Sequence, residues 1–226
     1  MMRAILLLVL LAAAAFAQPL RYEVKRSAGA ITIDGKVDEA AWKGAPPIEF
    51  LFPWEFQKGA KQKTLARLLW DDRYLYVAYE CDDAEITAQF DKRDDPTYRD
   101  DAVELFINPK PSQSNYFGLE MNARGTLYDY FYLFPEFLLK RLDFTDVRVK
   151  TSRTEKGWSL ELALSWADFE GLGDGRPPQR GDIWTANLNR WDGTEPARRL
   201  SQWSDSEMAK PNPHNPKRFG RLVFTD

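Results

Sequence analysis

Between residues 100 and 122 the chain sets carboxylates and an amide into otherwise apolar runs. In Ala102-Val103-Glu104-Leu105-Phe106-Ile107, period-two alternation puts Glu104 on the face opposite Val103, Leu105 and Ile107. If those three fill a core, Glu104 stands on the open face of a sheet, where a carboxylate accepts two hydroxyl hydrogen bonds. Gly118, Glu120 and Asn122 share one face of the next apolar run, with Phe117, Leu119 and Met121 on the other. Asn187, Asn189 and Arg190 recur within residues 183–190. The Arg190 guanidinium offers five donors in a rigid fork suited to adjacent hydroxyls or to a carboxylate. The competing role for Arg190 is a salt bridge to Glu104 or Glu120. Glu120 and Asn122 are set against ordinary sheet polarity.

These groups need elements to hold them, and the pattern supplies strands. Residues 64–70 and 74–79 are β-branched and aromatic runs separated by Asp71-Asp72-Arg73, and residues 116–122 and 126–132 flank Ala123-Arg124-Gly125; both read as hairpins. Residues 31–33, 102–107, 147–151, 158–164, 183–190, 200–203 and 221–224 add further strands. Helical signals are few: one or two turns near Asp38–Trp42, a short piece at Ser165–Phe169, and room for another within Pro135–Leu142. Strands at short spacing without βαβ alternation predict an all-β fold, an antiparallel β-sandwich with one or two short helices.

Composition bounds the chemistry. The 226 residues are 44% hydrophobic and 14% aromatic, enough for a packed core, and the net charge of −3 lacks the basic footprint of a nucleic-acid binder. One His and one Cys exclude zinc-finger ligand sets and an internal disulfide; lone Cys81 reads as structural. Met1-Met2-Arg3, an apolar run from Ala4 to Ala15, and Ala15-Phe16-Ala17 have the layout of a secretory signal. The reading is therefore a signal peptide over residues 1–17 and one domain over 18–226. The domain would be secreted or periplasmic, with no membrane span once the signal is cleaved.

Several segments together resemble the family 9 carbohydrate-binding module and its relatives: residues 33–42 (IDGKVDEAAW), Tyr74-Leu75-Tyr76-Val77-Ala78 with Asp82-Asp83, Asp101–Ile107, Gly157-Trp158-Ser159-Leu160-Glu161, and residues 216–222 (PKRFGRL). The likeness runs over roughly residues 30–225. The resemblance implies a β-sandwich that grips sugar-chain ends, without catalysis, beside secreted glycoside hydrolases. Two aromatic rings act as a clamp in that family. The first position falls on Tyr98, in a loop too polar for core, with loop packing as its alternative; the family's binding Glu falls on Glu104. A family Arg aligns with Gly118, which is a departure, and another falls near Arg198 or Arg199. The second clamp position is Pro213, so His214 or Trp203 would have to cover one sugar face, although the block around Trp203 reads mainly as structural.

Three other chemistries have candidate residues in the sequence. A glycosidase acting on O-glycosyl bonds needs two carboxylates about 5–5.5 Å or about 6.5–9.5 Å apart, which Asp100, Asp101, Glu104 and Glu120 could supply. A haem-binding sandwich would need His214 with Met121 or Met208 as axial ligands. Asp82 and Asp83 are oxygen donors suited to a structural calcium, though without EF-hand spacing. The expected partner is an oligo- or polysaccharide.

Overall fold

The computed structural model describes residues 19–133, 137–139 and 143–226, so the proposed signal segment lies outside the described residues. The chain is all-β. Among the described residues thirteen strands follow in order: β1 Arg21–Arg26, β2 Ile48–Glu49, β3 Thr64–Trp70, β4 Tyr74–Asp82, β5 Ala102–Asn108, β6 Tyr116–Asn122, β7 Leu127–Leu133, β8 Phe137–Leu139, β9 Val147–Arg153, β10 Gly157–Ser165, β11 Ile183–Asp192, β12 Arg199–Gln202 and β13 Gly220–Thr225. Among the described residues no helix exceeds the five-residue 3-10 turn at Ala40–Gly44. The short helix foreseen near Ser165 is a 3-10 turn at Trp166–Phe169. Of the segment Pro135–Leu142, where a helix was expected, Phe137–Leu139 is a strand and the other residues lie outside the described ones.

One sheet runs in the order β8-β7-β6-β5-β11-β13-β1-β3-β4-β10-β9, with β12 paired to β11 and β2 to β3. It is mixed, not wholly antiparallel, because β1 runs parallel to both of its neighbours, β13 and β3. The expected strand at Ile31–Ile33 is absent; its Thr32 N–H is taken by the Glu39 carboxylate instead of by a neighbouring strand.

The sheet coils so that β5 and β6 share a core with β3, β4 and β10. Val103, Leu105, Leu119 and Met121 pack in one apolar cluster with Leu68, Val77, Leu160 and Leu162. The Tyr79 hydroxyl crosses that core to donate to the Glu104 carbonyl at 3.0 Å. Period two then fixes what faces outward from β5, β6, β7 and β11, and that outward face is where the polar residues collect.

Candidate functional site

Strand register assembles the site. Gln202 on β12 pairs with Asn189 on β11, Asn189 with Glu104 on β5, Glu104 with Glu120 on β6, and Glu120 with Tyr128 on β7. Paired positions point to the same face, so these five side chains form one row across five strands. The next row outward runs Asn187, Phe106, Gly118, Tyr130. Trp191 stands on the same face two residues along from Asn189.

Above the row is a hollow of about 420 Å³ lined by Tyr98, Glu104, Glu120, Tyr128, Tyr130, Trp191 and residues 211–214. Tyr98 is 37% exposed at its rim, with its ring centroid 6.0 Å from that of Tyr128 and tilted by 49°. Its loop is tied down from several sides. Thr97 Oγ1 donates to the Glu120 carbonyl at 3.0 Å, and Arg198 donates to the Tyr98 carbonyl. The Asp100 carboxylate accepts the Gln89 and Phe90 N–H groups and the Asn122 amide.

The row is unusual in what it leaves unpaired. Buried polar atoms are normally hydrogen-bonded, and an orphan costs about 1–3 kcal/mol. Here Glu104 Oε2, Glu120 Oε2, Gln202 Oε1, both amide atoms of Asn189 and Arg198 Nε are buried without a partner. Four of these residues (Gln202, Asn189, Glu104 and Glu120) follow one another along the row, with Arg198 acting on both carboxyls.

Burial pushes the Glu104 carboxyl up to about 7, against the pull of the Arg198 charge and the Asn189 and Trp191 side chains. Glu120 is also raised well above its ordinary range, by burial first and then by Glu104 beside it. The Arg198 guanidinium lies 4.3 Å over the Trp191 ring, and burial lowers its pKa. His214 is pushed down to about 4 by burial and is therefore neutral at pH 7. Its ring stacks on Phe106 at 4.8 Å and on Tyr132 at 5.1 Å, and it shares a hydrogen bond of 2.5 Å with the Tyr116 hydroxyl.

Of the residues singled out from sequence, Tyr98, Glu104, Glu120 and His214 line the hollow, with Asn189 and Arg198 beside Glu104. Three do not. Arg190 follows Asn189 on a strand and so points to the opposite side of the sheet. It is wholly buried there, bonded to Asp83 at 3.1 Å, to Asp192, to Thr64 and to the Asp82 carbonyl, not to Glu104 or Glu120. Asn122 is spent on structure: its amide donates to the Phe90 carbonyl and Asp100, and its oxygen accepts the Arg124 and Thr126 N–H groups. Trp203 is a core residue, edge-on to Tyr22 and pressed against Gly220.

Calcium at Asp82 and Asp83 does not fit either. Asp83 turns inward and gathers with Asp101 and Asp192, but every oxygen of these three carboxylates already accepts a hydrogen bond, from Glu85 N–H, Trp158, Arg190, Gly193 N–H, Thr87 N–H or Gln62. The cation of this cluster is Arg190. A haem pair of His214 with Met121 fails on geometry, since Met121 faces the core from β6 and His214 covers the outer face.

Tyr128, Tyr130, Trp191 and Gln202 went unnoticed in the sequence, though Tyr128, Tyr130 and Tyr132 form a visible alternating stripe. Tyr130 also explains the Gly118 departure. A Cβ on Gly118 would lie 2.2 Å from the Tyr130 ring, whose hydroxyl donates to Glu120 Oε1 at 2.8 Å. The glycine gives the ring its place.

The chain matches the family described as carbohydrate family 9 binding domain-like over residues 33–226. It is 29% identical over 164 residues to endo-1,4-beta-xylanase C of Paenibacillus barcinonensis, a match covering 66% of this chain and 14% of that enzyme. The match spans at most 14% of the length of the curated relatives it aligns with. Among solved structures it shares its fold with a Bacteroides uniformis protein (TM-score 0.77, 18% identity, covering 92% of this chain and 100% of that one). It also shares it with a family 9 carbohydrate-binding module of Caldicellulosiruptor kristjanssonii in complex with cellotriose (TM-score 0.66, 20% identity, 91% and 93% covered). The outward polar floor, the tyrosines around it and a family match over most of the chain lead to one assignment: the chain belongs to the family 9-like carbohydrate-binding domains.

Proposed function

We propose that the protein holds the end of a saccharide chain in the hollow beneath Tyr98, as a non-catalytic binding protein outside the cytoplasm that supports polysaccharide breakdown by glycoside hydrolases. Residues 18–226 act as one unit in this reading, with the coiled sheet as its sandwich. The observation that carries it is the row of unpartnered polar atoms on Gln202, Asn189, Glu104 and Glu120 under an aromatic rim. A sugar ring offers C–H faces to the tyrosines and hydroxyls to carboxylate and amide groups. Residues 211–214 form part of the wall of the hollow, and in this reading they favour a chain end over a chain passing through.

Hydrolysis is disfavoured by placement. Glu104 and Glu120 stand side by side in one row of the floor, not on facing walls of the hollow where they could flank a glycosidic bond. With Pro213 at the second clamp position and Tyr98 and Tyr128 tilted, the aromatic grip is half open, and the hydrogen-bonding floor carries more of the affinity.

Calorimetric titration with cellotriose tests the reading. Tyr98→Ala and Glu104→Gln should each weaken binding about tenfold or more, equivalent to about 1.4 kcal/mol, with the melting temperature little changed in Tyr98→Ala. Unchanged affinity in both would remove the hollow as the binding site.

A further inference from the structure

The floor of the hollow holds more acceptors than donors. In and beside it, the buried atoms without a close hydrogen-bond partner comprise four acceptors (Glu104 Oε2, Glu120 Oε2, Asn189 Oδ1 and Gln202 Oε1) and two donors (Asn189 Nδ2 and Arg198 Nε), the Asn189 amide being turned toward Glu104. Asn189, Glu104 and Glu120 sit at consecutive paired positions, so three of those acceptors belong to adjacent members of one row. A hydroxyl brings a single donor to such a place; an ammonium brings three.

The charge count points the same way. Glu104 and Glu120 are 1% and 3% exposed, and side chains so paired stand about 4.5–5.5 Å apart at Cβ. The ion pairs of the described residues include neither of them. The groups around them are Asn189 and Trp191 from β11, Tyr116 from β6, Tyr128 and Tyr130 from β7, Tyr98 from its loop, and neutral His214. Arg198 is the cation whose charge acts on both. Two buried carboxylates facing one guanidinium leave the wall one positive charge short, and the free protein makes up the difference with a proton held on the pair.

We propose that the hollow takes a saccharide unit in which a protonated amino group replaces a hydroxyl, its ammonium standing where the shared proton of Glu104 and Glu120 stands in the free protein. This inference rests on the reading of the hollow as a saccharide site. The exchange balances: the ammonium faces two ionised carboxylates, and the protons they held in the free protein pass to the buffer, less what the amine itself takes up.

The test compares the β-1,4-linked glucosamine trimer with cellotriose, two chains that share a backbone and differ in the amino or hydroxyl group at carbon 2. Titrations of the protein at pH 6.5 and 0.15 M salt are run in two buffers of different ionisation heat, with trilysine as a charged control lacking sugar rings. The expected result is at least tenfold tighter binding of the glucosamine trimer, net release of protons to the buffer, no binding of trilysine, and an affinity ratio that falls toward one in Glu120→Gln. Equal or tighter binding of cellotriose, binding of the amine without proton release, or equal binding of trilysine overturns the inference and leaves the saccharide site standing. If no saccharide binds, the reading of the site falls with it. Should Glu120→Gln fail to fold, as its melting curve would show, the proton count on the unaltered protein decides.

Discussion

Glu104 pays a desolvation cost that the pH dependence of stability exposes. Its carboxyl ionises near 7 in the folded protein against an ordinary value of 4.5, so the fold favours the protonated form. A group raised in this way contributes stability that is full below about 4.5 and lost as pH climbs through about 7. Glu120, beside it, acts in the same direction. His214 opposes them only below its ordinary 6.5, because a lowered base costs stability as pH falls toward about 4. The melting temperature should therefore rise between pH 8 and pH 6.5, and Glu104→Gln should flatten that rise without abolishing it, since Asp101 (about 6) and Glu161 (about 7) are also raised. Gly118 makes a second residue-level prediction. In Gly118→Ala the new methyl meets the Tyr130 ring at 2.2 Å, within a packed aromatic group. Overpacking of this kind costs about 1–3 kcal/mol. Displacing Tyr130 also removes the hydrogen bond to Glu120, so chemical denaturation and saccharide titration should both register the change.

At the level of strands, parity decided which sequence expectations held. Glu104 and Glu120 could be read from alternation alone, because the apolar partners on their strands are unambiguous and the register between hairpin strands follows from the turn. Asn189 and Arg190 could not both face the Glu104 side of the sheet, since adjacent strand residues point to opposite sides; which one does depends on pairing between β11 and β5, strands far apart in sequence. Arg190 went inward because Asp83 and Asp192 offered its charge a partner, a match no local spacing reveals. Asn122 obeys parity, but its amide is taken up in anchoring the long loop that carries Tyr98 to β6. The buried cluster has a clear consequence. Arg190→Ala would strand the Asp83 and Asp192 carboxylates out of water, at about 3–5 kcal/mol. Denaturant unfolding should show that loss, while the saccharide affinity of the folded fraction stays within about twofold, because Arg190 lies across the sheet from the hollow.

On the scale of the whole chain, β1 is the link between two groups of strands. The path β8-β7-β6-β5-β11-β13 lies on one side of it and β3-β4-β10-β9 on the other. Its alternation is present in the sequence, with Tyr22 and Val24 inward and Arg21, Glu23 and Lys25 outward, but charged residues at every second place masked it as a strand. Its parallel pairing with both neighbours could not be inferred locally, since no turn joins β1 to either β3 or β13. Tyr22 and Val24 are 6% and 0% exposed, and the Tyr22 hydroxyl both donates to the Pro46 carbonyl and accepts the Leu68 N–H. Burial of two such side chains stabilises by about 1.5–3 kcal/mol each, before the ladder bonds on both edges are counted. Losing them together removes a large part of the roughly 5–15 kcal/mol that holds a domain folded. Deletion of residues 18–26 should therefore abolish the cooperative melting transition, although the residues around the hollow are all retained. Cleavage after Ala17, the proposed processing point, leaves Gln18, Pro19 and Leu20 ahead of β1 and should have no such effect. Circular dichroism melting of chains beginning at residues 18 and 27 makes the comparison. A chain that starts at residue 27 and melts as sharply as one starting at 18 would show that the two groups of strands hold together without β1.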